Sequence, residues 1–262
     1  MLHENRPVQR VSEDKRRLEH DAMADESLVT IVHRGRTLTR LLASREDLKA
    51  LTVGHMALEH GCSLKEESLS VELRSDGSVD IVIDDAIEVP ASAARPNIVT
   101  SSCGACHHPS LAEMVTTAST ALRAPSYASI DLVSHAFDMM EHQQPGFVAT
   151  GGLHAAMLWA PDGTYLVKED IGRHNAVDKA WGAWRQSHPQ CQPTMLLLSG
   201  RLGWDITAKA MHIGVSTIAC RGAASTLAVD TARANGLRLV TFWKSTGCVV
   251  IGPLEGSFDA KD

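Results

Sequence analysis

Period-two alternation of apolar and polar residues organises the early part of the chain. SLVTIVHRGRTLTRLLAS places two strands around a tight turn at Arg34-Gly35-Arg36. LSVELRSDGSVDIVIDD repeats the device, with Val71 and Leu73, then Val79, Ile81 and Ile83, on either side of Asp76-Gly77. Between them the period lengthens: Ala50, Leu51, Gly54, Ala57 and Leu58 fall on one helical face, Ser44 and Asp47 form a candidate capping box, and Gly61 supplies a stop. Small residues on that face predict close packing. Residues 27–95 thus read as a small α+β unit. Residues 1–26 mix both charge signs with little periodicity and read as a mobile leader, or as an extension that docks on a partner.

From about residue 96 the rhythm changes, because strands alternate with helices. LHAAMLWA and TYLVKED flank Pro161-Asp162-Gly163, and HNAVDKAWGAWRQS follows as a helix. TMLLLSG is a short, wholly apolar strand, followed by a helix near 204–212, the strand VSTIACR, a helix near 224–234 and the strand LRLVTFW. Parallel pairing in an α/β sheet is the expected result. Residues 110–123 and 127–143 also look helical, with Pro125 as the break.

Composition adds limits. Apolar residues at 44% and charged residues at 21% are those of an ordinary globular chain. Twenty-five Lys and Arg against thirty-one Asp and Glu give a net charge of -6, which offers no general attraction to nucleic acid or anionic lipid. There is no apolar run of about 18 residues and no signal-like hydrophobic segment at the N-terminus, so a cytoplasmic location is expected. Six cysteines in a reducing compartment point to reactive or metal-binding thiols rather than disulfides.

Two of those cysteines lie three apart in Thr100-Ser101-Ser102-Cys103-Gly104-Ala105-Cys106-His107-His108-Pro109. Several chemistries use this spacing. C-x-x-C-H attaches c-type haem, a pairing that belongs mainly to exported proteins. Zinc can take Cys103, Cys106 and histidines, although no second ligand pair stands at finger-like spacing. A thioredoxin-like dithiol fits too, as does an inert structural turn. A nucleophilic thiol that carries persulfide sulfur requires an accessible thiolate, a Gly-bearing loop and positive local potential, here from a helix N-terminus after Pro109 and from protonated His107 or His108. Cys62, Cys191, Cys220 and Cys248 have apolar neighbours or no partner motif and read as structural.

Further polar clusters follow. Thr150-Gly151-Gly152-Leu153-His154 precedes a strand, where glycines permit close backbone approach. Glu169-Asp170-Ile171-Gly172-Arg173-His174-Asn175-Ala176-Val177-Asp178-Lys179 runs a strand into a helix, and reads as a capped helix start or a site with His174 and Asp178 on one face. Arg201 and Arg221 each end an apolar strand, at the edge where parallel sheets bind ligands. Phe242-Trp243-Lys244-Ser245-Thr246-Gly247 offers aromatics, a cation and two hydroxyls to a bulky ligand, or anchors the core.

Taken in order, TSSCGAC (100–106), TGGLHAA (150–156), EDIGRHNAVDK (169–179), LLLSGR (196–201) and TLAVDTA (226–232) resemble the formate dehydrogenase accessory sulfurtransferase family, FdhD/NarQ, over about residues 27–252. The resemblance implies a cytidine deaminase-like three-layer domain over 96–262, without the zinc signature, since His154-Ala155-Ala156 stands where H-A-E would be. It implies a sulfurtransferase that takes sulfur from a cysteine desulfurase and passes it to the molybdenum bis(molybdopterin guanine dinucleotide) cofactor for formate dehydrogenase, with no permanently bound metal. Cys103 would carry the persulfide and Cys106 would assist. Phe242 to Gly247, with Arg201, Arg221 and His174, would hold the acceptor, and a homodimer is expected. A non-catalytic chaperone that binds guanine nucleotide or the cofactor for another molybdoenzyme is the alternative. The chain departs from the family pattern at His107-His108-Pro109 and at Arg221-Gly222-Ala223-Ala224-Ser225.

Overall fold

Regular structure begins where none was expected. In the computed structural model, which describes residues 2–90, 98–99 and 128–252, the chain opens with strands β1 (His3–Ser12) and β2 (Lys15–Ala24), paired antiparallel along their full length. The expectation of a mobile leader fails because cross-strand charge, not apolar periodicity, suits this segment to a ribbon. Arg10 pairs with Glu19 and, at 2.8 Å, with Asp21 on the facing strand. At the base, Asp25 N–H donates to Leu2 O at 2.9 Å, and Arg45 binds both Asp25 and Glu4. Burial works against the Asp25 carboxylate, but the Arg45 hydrogen bonds hold it below its usual range.

The two expected hairpins are present. Strands β3 (Ser27–His33) and β4 (Arg36–Ala43) pair antiparallel around Arg34 and Gly35, both at positive φ as a tight hairpin requires. The helix α1 (Leu48–His60) ends at Gly61 in the left-handed region, as its sequence indicates. Its start differs from expectation. Asp47 occupies the N-cap position at φ 55 without a side-chain cap, and its carboxylate instead meets Lys168 at 2.9 Å. A 3-10 turn (Glu66–Ser68) leads into β5 (Leu69–Leu73), which pairs antiparallel with β6 (Val79–Ile83). With β7 (Ile98–Val99), these form a five-stranded sheet in the order β5-β6-β3-β4-β7. Val29, Ile31, Leu41, Val79, Ile81 and Ile83 join Leu51, Val53 and Met56 of α1 in its core.

Helices α2 (Ile130–Glu141) and α3 (Pro145–Thr150) precede β8 (His154–Trp159), β9 (Tyr165–Asp170) and α4 (Arg173–Ser187). The chain divides into two units, and the first contains Asp138–Met157 and Leu166–Gln190 as well as the N-terminal sheet. EDIGRHNAVDK therefore belongs with residues 27–95, not with the C-terminal part as expected. The cause is a helix crossing. A Cβ at Gly54 of α1 would lie 1.8 Å from Asp178 O, and one at Gly182 of α4 would lie 1.9 Å from Ala50 O. Only hydrogen at both positions permits this backbone-to-backbone approach.

The second unit carries β10 (Met195–Leu198), α5 (Trp204–Ile213), β11 (Thr217–Cys220), α6 (Thr226–Ala234), β12 (Arg238–Lys244) and β13 (Gly247–Ile251). Strands β10, β11 and β12 are parallel neighbours, and β13 returns antiparallel on β12. MLLL and TIAC are buried at every position, which is why these strands lack alternation. Ser225 caps α6 by accepting from Ala228 N–H.

Gly182→Ala should destabilise the chain by about 3 kcal/mol, the upper range of overpacking, because a backbone carbonyl cannot step aside as a side chain can. Urea unfolding should show it, whereas Gly35→Asn, facing open space, should cost less than about 1 kcal/mol.

Candidate functional site

Three parallel strands deliver their C-terminal ends to one crest in the second unit. Beyond β10 lie Ser199, Gly200 and Arg201; beyond β11, Arg221 and Gly222; near the end of β12, Phe242. Backbone hydrogen bonds tie them together. Gly222 N–H donates to Gly200 O at 3.0 Å, and Phe242 N–H donates to Gly222 O at 3.0 Å. A Cβ on Gly222 would lie 2.8 Å from Arg201 Cγ, so Gly222 lets the Arg201 stem pass beside it.

Side-chain stacking sets the second guanidinium. Arg221 lies over the Phe137 ring, 5.3 Å from its centroid, and Phe137 stacks at 5.4 Å and 12° on Trp243. Trp243 is buried, so the residue expected to wall a ligand instead supports this stack from within. Phe242 takes the opposite course. At φ 53 it is a left-handed non-glycine residue beside a bulge, and its ring is half exposed. Lys244, Ser245, Thr246 and Gly247 occupy the exposed β12–β13 turn, closed by pairing of Lys244 with Gly247. The crest thus presents exposed Arg201, half-buried Arg221 and the Phe242 ring, a set suited to an anionic ligand with a planar group.

His174 belongs to the first unit, where it is buried on α4. Its neighbours explain the EDIGRHNAVDK string in structural terms. Lys179 is fully buried, with Nζ 2.6 Å from Asp170 Oδ2 and donating to Ser44 O at 3.0 Å and Ser44 Oγ at 3.2 Å. Asp170 Oδ2 accepts from Ser44 N–H and Oγ–H, and Oδ1 accepts from Gly172 N–H and Asn175 Nδ2. Ser44, expected to cap α1, is therefore committed to a residue 126 positions away. Asp178 faces His55, at 3.2 Å from its Nδ1. Glu169 accepts from Gly146 and Phe147 N–H groups, and burial nevertheless raises its carboxyl above its ordinary value. Sequence reading missed this network, although a lysine amid Ala176, Val177, Ala180 and Trp184 is a local sign of a buried, partnered cation.

Cys103, Cys106, His107 and His108 lie outside the described residues. The four described cysteines are free thiols, and burial raises each above its usual value. The effect is largest for Cys220 at the end of β11, pushed up to about 12 by desolvation against hydrogen bonds from the Phe242 and Gly222 backbone. Among the described residues no cluster of three His, Cys, Asp or Glu side chains is arranged to hold a metal ion. Among them, too, no helix is long and apolar enough to cross a membrane.

The family model described as "FdhD/NarQ family" matches residues 24–252. The chain is 35% identical over 206 residues to "Sulfur carrier protein FdhD" of Mycobacterium tuberculosis, covering 77% of this chain and 72% of that protein. It is 32% identical over 257 residues to the protein of the same description in Streptomyces coelicolor, covering 93% and 91%. The crystal structure of a putative formate dehydrogenase accessory protein from Desulfotalea psychrophila shares the fold with a TM-score of 0.71 at 21% identity, over 97% of this chain and 99% of that one.

Removal of one partner from the buried pair should be severe. Lys179→Met should cost about 3–5 kcal/mol in urea unfolding by leaving Asp170 charged and unpaired, and addition of Asp170→Asn should recover part of the loss. Alkylation with iodoacetamide near neutral pH should leave Cys220 unmodified in the folded chain, with labelling appearing only on denaturation or in strong alkali.

Proposed function

The chain belongs to the FdhD/NarQ family, and from that premise we propose that it carries sulfur as a cysteine persulfide from a cysteine desulfurase to the molybdenum bis(molybdopterin guanine dinucleotide) cofactor of a formate dehydrogenase. The observation that carries this reading is the family match over residues 24–252, within which the C-x-x-C segment of the family falls at Cys103-Gly104-Ala105-Cys106. Burial raises the thiols of Cys62, Cys191, Cys220 and Cys248, most of all that of Cys220, which is in keeping with a nucleophile in that segment.

Cys103 thiolate attacks the outer sulfur of the desulfurase persulfide. A sulfur–sulfur bond forms to Cys103, the donor's bond to that sulfur breaks, and the desulfurase cysteine departs as thiolate. Delivery as sulfide requires two electrons. Cys106 thiolate supplies them by attacking Cys103 Sγ, closing a Cys103–Cys106 disulfide while the outer sulfur leaves as hydrosulfide for the metal of the acceptor. Arg201 and Arg221 engage the acceptor's phosphates, and Phe242 stacks on a planar ring. The support for that assignment is the preset Arg221–Phe137 stack and the Gly222 backbone beside Arg201. The cytoplasmic setting and the deaminase-like layering of the second unit belong to the same proposal. The layering rests on the parallel run β10-β11-β12 with its connecting helices.

Mass spectrometry after incubation with a cysteine desulfurase and cysteine should show one added sulfur, about 32 Da, absent in Cys103→Ala. Retention of the adduct in Cys103→Ala with loss in Cys106→Ala would reverse the two roles. If the double Cys103→Ala/Cys106→Ala variant still supports formate dehydrogenase activity in cells, the non-catalytic cofactor chaperone is the correct reading.

A further inference from the structure

Phe137 joins the interior of the second unit to its crest. It lies on α2, where Val133, Ala136 and Phe137 recur at the spacing of one helical face and are all fully buried. Packing alone would account for that burial, but not for what the ring touches. Trp243 lies nearly parallel to it, at 12°, and the Arg221 guanidinium lies over it. Across the bulge between Thr241 and Lys244 the chain leaves Phe242 half exposed and encloses Trp243, so β12 supplies one ring to the crest and one to the support beneath. The main chain of Arg221 is held as well. Its N–H donates to Leu198 O at 3.2 Å, and the next carbonyl, that of Gly222, accepts from Phe242 N–H. Backbone and guanidinium are thus both constrained before a ligand arrives.

We infer that Phe137 is a positioning residue of the acceptor site: fully enclosed, it touches no ligand, and it acts by holding the Arg221 guanidinium in place to receive one. The inference rests on reading the crest as the site of a phosphate-bearing acceptor. An arginine loses much rotamer freedom when it is immobilised, and an aromatic face that attracts the cation in advance removes part of that loss from the binding step. The choice of a ring also suits the ligand. It draws the cation without offering an oxygen acceptor, so it orients the guanidinium without competing for phosphate as a carboxylate would. Leucine in its place would fill much of the volume and lose the attraction.

Calorimetric titration of the full chain with GDP tests this. The wild type should bind GDP, Arg221→Gln roughly twentyfold more weakly, and Phe137→Leu roughly five- to tenfold more weakly. In the Arg221→Gln background, Phe137→Leu should change the affinity by less than about twofold, because a ring that acts through Arg221 has nothing left to position. A ring that only fills the core would give the same loss in both backgrounds. Arg221→Lys, which keeps the charge but not the planar group, should bind nearly as weakly as Arg221→Gln. Wild-type affinity in Phe137→Leu, or full additivity of the two losses, overturns the inference and leaves the acceptor site standing. If circular dichroism shows Phe137→Leu to be unfolded, Arg221→Lys decides, and wild-type affinity there overturns the inference. A wild type that does not bind GDP, or an Arg221→Gln variant that binds it equally well, overturns the acceptor-site reading itself and the inference with it.

Discussion

The crossing of α1 and α4 at Gly54 and Gly182 is the constraint from which the first unit follows. Two backbones meet where no methyl group fits, so everything on the facing side of α4 is sealed from water. That face includes Asp178 and Lys179. A buried cation without partners would oppose folding by several kcal/mol, and the surrounding residues answer that demand. Ser44 contributes a hydroxyl, a carbonyl and an N–H, Asp170 contributes the countercharge, and Asn175 and Gly172 occupy the other carboxylate oxygen. Packing thus determines the polar chemistry of EDIGRHNAVDK. The string looks like a site in one dimension, and several of its polar residues serve as an internal brace.

How much was legible depends on the range of the interaction. Hairpins at 27–43 and 69–83 announce themselves through period-two alternation and turn residues, because both signals are local. The β1–β2 ribbon did not, because it depends on ion pairs such as Arg10 with Asp21, which leave no apolar rhythm. Ser44 and Asp47 fit the spacing of a capping box, yet Asp170 recruits one and Lys168 the other across more than a hundred residues. At the crest, Arg201, Arg221 and Phe242 were readable as strand-end residues, whereas the support of Arg221 by Phe137 is a tertiary contact with no local trace. Trp243 was ambiguous between ligand wall and core anchor, and its burial decides for the core.

The crest and the cysteines show one principle applied in opposite directions. Desolvation at the end of β11 silences Cys220, while one residue further on Arg221 emerges onto an aromatic face that orients a permanent charge. Phe242 completes the pattern at the cost of a left-handed backbone, held by its N–H to Gly222. The same short stretch of sheet therefore inactivates a nucleophile and displays groups able to receive a ligand.

Lys179 and Lys209, almost wholly enclosed, sit one in each unit. An amine that solvent cannot reach is also out of reach of trypsin and acylating reagents, so each lysine is a built-in clock for the opening of its own unit. The two halves of this protein can therefore be timed separately, in the unmodified chain and in a mixture, by the order in which two native side chains acquire a mass tag.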